Sequence, residues 1–389
     1  GGFIGQDGIN APDPATGVSA SGGDAAATVS FTAPTDVGGA AVTGYRVQSN
    51  DGIGASGSAS PITVTGLTND TSYTFNVWAI NPFGWSSPSD ASGGVTPIAL
   101  NDRGIFAGGN WGSLSATMGY VSIASTGNAA DFGNLSAARQ NLGSVSSNIR
   151  AVFLGGNTGS VTNLMDYVTI ATTGNAADFG DLIGARQYNT ASCSNITRGL
   201  SIGGTTNSGG DNTISYITIA STGNATDFGD TNASECARGG GTPSSTRAVY
   251  SVSYDSAGNT NIIESVEFAT TGNGTDFGDL SYARNRLGSM SSGVRGVFAG
   301  GTSTNIIDYI TIASAGNATD FGDLTTSAHD GCGATDNGVR GLIGGGESAR
   351  NNIIEYITIA TTGNGTDYGD LQEARDALTA ASGSHGGLQ

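Results

Sequence analysis

The sequence predicts an all-β protein in two parts, a small β-sandwich followed by a six-bladed β-propeller. Three observations carry that reading. Before residue 100, short runs alternate apolar and polar residues between Gly and Pro clusters, the period of half-buried strands. After residue 100, one string recurs six times at spacings of 44 to 49 residues. No segment of the 389 residues sustains a helical period.

Composition narrows the function classes. The chain has 65 Gly, 32 acidic residues, 14 Arg and no Lys, for a net charge of −18. Such a surface repels a phosphate backbone and offers no basic stripe, so no nucleic-acid partner is expected. No apolar run approaches the roughly 18–20 residues of a membrane span, so no membrane insertion is expected. Cys193, Cys236 and Cys332 are odd in number, widely spaced and lack a CxxC, which indicates neither a disulfide framework nor a metal site. Cys193 reads as a small core residue. The chain opens at Gly1 without Met, as a processed product or a piece of a longer protein would.

Residues 1–10 read as a tail, 11–97 as the sandwich, 98–102 as a linker and 103–389 as the propeller. In the sandwich, Thr28–Phe31, Tyr45–Ser49 and Tyr73–Trp78 alternate with a period of two. Turn clusters at 34–39, 51–57 and 81–88 separate such runs. The string "TAPTDVGGAAVTGYRVQS" and the later "TVTGLTNDTSYTFNVWAINPFGWSSPS" resemble a bacterial fibronectin type III domain over nearly the whole module. The resemblance implies that Leu67 is a core residue and Tyr73 a tyrosine corner, its hydroxyl tying the strand start to the preceding loop. Phe31 stands where the family has Trp. Phe83 and Trp85, in the last hairpin loop, are the module's candidates for contact with a partner.

In the second part, Asn of "YITIASTGNATDFGDL" falls at 128, 175, 224, 273, 317 and 364. A second string, "RGVFAGG", begins at Arg103, Arg150, Arg198, Arg247, Arg295 and Arg340. Two markers in step mean one supersecondary unit repeated. In the second repeat the expected strands are Arg139–Ser146, Arg150–Gly156, Asp166–Ala171 and Ala177–Leu182, the last two joined by a tight Thr-Gly-Asn turn. Four antiparallel strands make a blade. The first unit starts at its second strand and the chain ends on a spare first strand, so the C-terminal strand is expected to close a ring of six blades.

The marker order resembles the kelch repeat: an Arg-led first strand, Gly-Gly at 108–109 and its counterparts, a third-strand Tyr, and Phe132, Phe179, Phe228, Phe277, Phe321 or Tyr368 in place of the fourth-strand Trp. The whole string, with a terminal His385-Gly-Gly-Leu388, resembles repeats in virion proteins of marine bacteriophages. That resemblance implies a tail- or fibre-associated protein on the virion surface or otherwise extracellular, in a homo-oligomer or multi-copy assembly with other virion proteins.

Catalysis is not expected. Asp131, Asp178, Asp227, Asp276, Asp320 and Asp367 recur once per repeat, as do the six arginines of the second string; such recurrence marks architecture, because an active site is needed once. The expected roles are pairing with a neighbouring Arg or capping of turn N–H groups for Asp, and ion pairing between blades for Arg. No cofactor or metal is expected; the one ion the pattern leaves room for is Ca²⁺ at each hairpin. His329 sits near a position held by Arg in other repeats. The loops between second and third strands vary and are polar, which suits recognition of a host-surface glycan or protein, with Trp111, Tyr282 and Arg350 as candidate ligand-binding residues. A capsid or tail decoration held by protein contacts and a secreted bacterial adhesin are the alternative readings.

Overall fold

The computed structural model describes residues 10–97 except 24 and 70, and residues 101–388 except 189, 190, 234, 256, 328 and 347–350. The first nine residues, the linker at 98–100 and Arg350 therefore lie outside the described residues. The chain divides into two compact units, Gly1–Leu100 and Asn101–Gln389.

In the first unit, β1 (Thr16–Gly23), β2 (Ala26–Thr32) and β5 (Ile62–Thr65) form one antiparallel sheet. The other runs β4 (Gly54–Gly57), β3 (Gly44–Ser49), β6 (Phe75–Asn81), β7 (Gly84–Trp85). Alternation decides which residues meet between them: Val29, Phe31, Tyr45, Val47, Val64, Leu67, Phe75 and Val77 share the core. Phe31 packs on Tyr45 with ring centroids 4.7 Å apart, and the backbone N–H of Thr68 donates to the Tyr73 hydroxyl at 3.0 Å. Beyond β7 the chain keeps to β6 by another device. Ser86, Ser89 and Ser92 each donate their backbone N–H to β6 carbonyls, and their hydroxyls accept from the N–H groups of Ala79, Val77 and Phe75. A serine at every third residue thus pairs with the edge where an ordinary strand would use alternate residues.

The second unit consists of six antiparallel four-stranded sheets. In the second repeat the strands are Gly143–Ser146, Arg150–Leu154, Leu164–Thr169 and Ala177–Asp181. Thr379–Gly383 pairs with Asn101–Ala107 and so supplies the first strand of the first sheet. The expectation of a closed six-bladed kelch-like propeller is corrected here. Among the described residues strand pairing stops at the fourth strand of every repeat, no ladder runs from one sheet to the next, and the sheets are separate layers stacked as sandwiches. The reason is that each repeat carries two apolar faces instead of one continuous edge. Val152, Met165 and Phe179, for example, pack on Ile217 and Ile219 of the following sheet, and each of the six cores of this unit is shared by two sheets in the same way.

Turns join the layers. The Thr-Gly-Asn segment binds the outer strand of the preceding sheet: Gly174 N–H donates to Phe132 O and Ala176 N–H to Asn134 O, while Asn175 Oδ1 accepts from Asn134 N–H. The same three bonds recur at Asn224, Asn273, Asn317 and Asn364, and Asn128 makes them with the sheet of Tyr368. The Phe-Gly pair facing each turn is a β-bulge, with Phe in the core and Gly at positive φ. At Gly180, φ is +140° and a Cβ would sit 2.5 Å from Gly223 O, so only glycine fits.

Gly180→Ala is expected to destabilise the second unit by about 1–3 kcal/mol, whereas Gly184→Ala, with open space around its Cβ, should leave it within about 0.5 kcal/mol. Thermal unfolding of the two full-length variants, followed by near-ultraviolet circular dichroism, checks the contrast.

Candidate functional site

The repeated arginines are absorbed by the architecture. Arg150 lies over the Tyr167 ring, 4.3 Å from its centroid, and donates to the Ile219 carbonyl of the next sheet. Arg103, Arg198, Arg295 and Arg340 do the same with Tyr120, Tyr216, Tyr309 and Tyr356 and with carbonyls of the next layer. Their expected acidic partners are thus replaced by carbonyl oxygens. Arg247, whose sheet has Ser265 in place of Tyr, pairs with a carboxylate, Glu267, at 2.7 Å. Asp131, Asp178, Asp227, Asp276, Asp320 and Asp367 stand exposed on the outer strands, and the turn-capping expected of them is done by the neighbouring Asn.

Four further arginines are nearly fully buried. Arg139 and Arg284 pair with Asp166 and Asp308, each at 2.9 Å, and Arg186 with Asp211 at 3.1 Å. Arg375 donates to the carbonyls of Phe106, Gly108 and Thr117, and burial pushes it down to about 10. His329 takes the equivalent place in its repeat and contacts Glu355 at 3.1 Å.

At the centre, the first strands Gly143–Ser146, Ala191–Ser194, Gly241–Pro243, Gly288–Ser291, Gly333–Asp336 and Thr379–Gly383 each pack on the next around a cavity of about 170 Å³. One end is filled by the C-terminal segment. His385 Nε2 lies 3.2 Å from Ser194 Oγ and 3.1 Å from Ser146 O, and Gly386 N–H donates to Asp336 Oδ1. Asp336 also accepts from the N–H groups of Ser291 and Gly338. Burial nevertheless raises it from 3.8 to about 7, and burial lowers His385 from 6.5 to about 4.

The opposite end is a mouth ringed by Asn141, Tyr188, Arg238, Arg286, Gly331 and Ala377, one per repeat and all at positive φ. Backbone bonds link the ring: Tyr188 N–H to Asn141 O, Asn141 to Ala377, Ala377 to Gly331, Gly331 to Arg286, and Arg286 to Arg238. Asn and Gly suit such backbone; Tyr and Arg cost of order 1 kcal/mol each. The Arg238 guanidinium lies 4.3 Å from the Tyr188 ring centroid and 4.7 Å from that of Tyr254, and Arg286 lies 5.7 Å from Tyr188 and 3.7 Å from Asp330. The repeat markers give no hint of this ring, because its residues differ from repeat to repeat; the positive φ they share is a property of the backbone.

Strand direction brings Trp111, in a second-to-third-strand loop, and Tyr282, in a sheet-to-sheet connection, to the mouth end. Both are more than half exposed, and no ring contact joins them. Phe83 and Trp85 are exposed in the β6–β7 hairpin of the first unit, where Asn81 Oδ1 accepts from the N–H groups of Phe83 and Gly84. At the opposite end, exposed Ile149, Ile196, Val294 and Val339 cap equivalent hairpins, a set that sequence patterning missed. Among the described residues, no group of three His, Cys, Asp or Glu side chains is arranged to hold a metal. All three cysteines are buried. Burial pushes the Cys193 thiol well above its ordinary range.

The fibronectin type III family model matches residues 12–94. That stretch is a fibronectin type III domain. No curated protein matches the chain. Among solved structures, a crystal structure of titin domains is 30% identical over 23% of this chain and 32% of the titin chain, with a TM-score of 0.22. This chain therefore spans about a third of that relative, and the likeness carries no argument. None of these comparisons bears out the kelch-like or bacteriophage resemblance, and those expectations are withdrawn as descriptions of the chain.

The two buried titrating groups give opposite pH slopes. Folding holds the Asp336 proton to higher pH than the unfolded chain does, so its contribution falls as pH rises from about 4 to about 7. His385 stays neutral when folded, so its contribution is lost as pH falls from 6.5 to about 4. Between about 4 and 6.5 the two nearly cancel and stability is expected to be level. In Asp336→Asn it should instead rise with pH over that interval, by up to about 1.4 kcal/mol per pH unit. Urea unfolding at half-unit pH steps measures both curves.

Proposed function

We propose that this is a non-enzymatic recognition protein, displayed on the outside of a virion or cell, whose second unit binds a surface glycan at its mouth end. One observation supports it above the others: three consecutive ring positions on backbone that favours Asn or Gly carry the large side chains Tyr188, Arg238 and Arg286, all lining a single opening. The polar second-to-third-strand loops and the exposed rings of Trp111 and Tyr282 share that end. A cavity of about 170 Å³ is too small for an oligosaccharide, so in this reading a glycan enters it by a chain end alone. The fibronectin type III module acts in this reading as a spacer or docking unit.

A structural role held by protein contacts is the second reading, and the aliphatic hairpin tips at the opposite end favour it. The full-length chain on a broad microbial glycan array separates the two. Saturable binding that weakens at least fivefold in Tyr188→Ala or Trp111→Ala is the expected result. Silence across the array, with the fold intact by circular dichroism, would sink the glycan reading in favour of protein contacts.

A further inference from the structure

We infer that the mouth is a subsite for the carboxylate of an acidic terminal sugar, with Arg238 as its principal anchor and Tyr188 as the platform beneath; this rests on the glycan reading above. The argument begins with where positive charge is available. Of the thirteen arginines in the second unit, six bridge layers and four are buried within sheets, which leaves Arg238, Arg286 and Arg350, the last outside the described residues. Two of the three line one cavity.

Arg238 is set apart from every other described arginine of this unit. Each of the others donates to a carbonyl or faces a carboxylate, while among the described residues the Arg238 guanidinium has neither and is held against the faces of Tyr188 and Tyr254. Its Nε is buried without a hydrogen-bond partner, a feature it shares with Arg139, Arg186, Arg284 and Arg375. Stacking of this kind fixes the plane of a guanidinium and leaves its edge for a bidentate acceptor, the geometry a carboxylate matches. Arg286 adds a second positive group, partly balanced by Asp330 at 3.7 Å.

Backbone preference gives no structural reason for a long cation at Arg238. The positions of Tyr188, Arg238 and Arg286 have φ of 52°, 63° and 59°, and the three equivalent positions carry Asn, Gly and Ala. Asn or Gly would be the easier residue at Arg238 as well. A long cation retained there serves something other than the turn. The tyrosine faces hold the guanidinium in place, and the size of the cavity limits entry to a chain end.

The test is calorimetric titration of the full-length protein with glucuronate, galacturonate, glucose, galactose, acetate and sulfate. Uronates are expected to bind at least tenfold more tightly than the neutral sugars and than acetate or sulfate. Arg238→Asn should lose that preference at least tenfold while its melting temperature stays level or rises, since Asn suits the backbone. Arg286→Asn serves as a second variant with the same expected direction. Uronate binding unchanged in both variants, or neutral sugars binding as tightly as uronates, would overturn the inference and leave the glycan reading standing. Acetate or sulfate matching the uronates would overturn it too, by showing a site for small anions alone. If no sugar binds and the array is silent, the glycan reading itself has failed.

Discussion

The second unit depends on backbone approaching backbone. Where a Gly-Asn turn of one sheet meets the bulge glycine of the preceding one, no side chain can intervene: a Cβ on Gly133, Gly229 or Gly369 would fall 2.3 to 2.6 Å from a carbonyl oxygen. Three hydrogen bonds per junction then fix the offset between layers. With that offset set, Phe of the bulge reaches the shared core, Arg of the second strand reaches the next layer's carbonyls, and the first strands come together around the cavity. The aromatic pairs repeat the same geometry, with Tyr and Phe rings near 6 Å and close to perpendicular in the sheets that have both.

Much of this was legible as period and little of it as role. The six repeats, their strand order and the pairing of the last strand with the first sheet follow from the positions of two strings, since recurring residues report recurring structure. How the repeats join was misread. The turn Asn reads as a hairpin residue, and nothing local shows that its oxygen caps another sheet. The outer Asp reads as the cap and is in fact solvated. A marker string describes what each unit shares, and so it could not distinguish separate stacked sheets from the closed propeller it suggested. The module at 12–94 was read correctly because its signal lies in a sequence order, Leu67 before Tyr73, that ties directly to one hydrogen bond.

The mouth was invisible for the opposite reason. Asn141, Tyr188, Arg238, Arg286, Gly331 and Ala377 share a backbone conformation but no chemistry, so no string marks them. Charge counting came near: with net charge −18 and most arginines committed to packing, any remaining cation stands out. The acidic exterior also sets a physical limit on that site. At long range it repels an anion, and over a Debye length of about 8 Å in physiological salt only the groups lining the opening can reverse that. Recognition there is necessarily a short-range affair.

The pairing of Thr379–Gly383 with Asn101–Ala107 bears on how the protein is made. During synthesis the first sheet waits, three strands wide, while the other five emerge and stack behind it. Its open edge is covered only when Thr379–Gly383 has left the ribosome, and His385 can enter the cavity no sooner. A nascent chain therefore carries an unpaired strand edge throughout the synthesis of the five intervening sheets, and the glycine-rich, low-hydropathy character of the repeats suits a chain that must stay unaggregated that long.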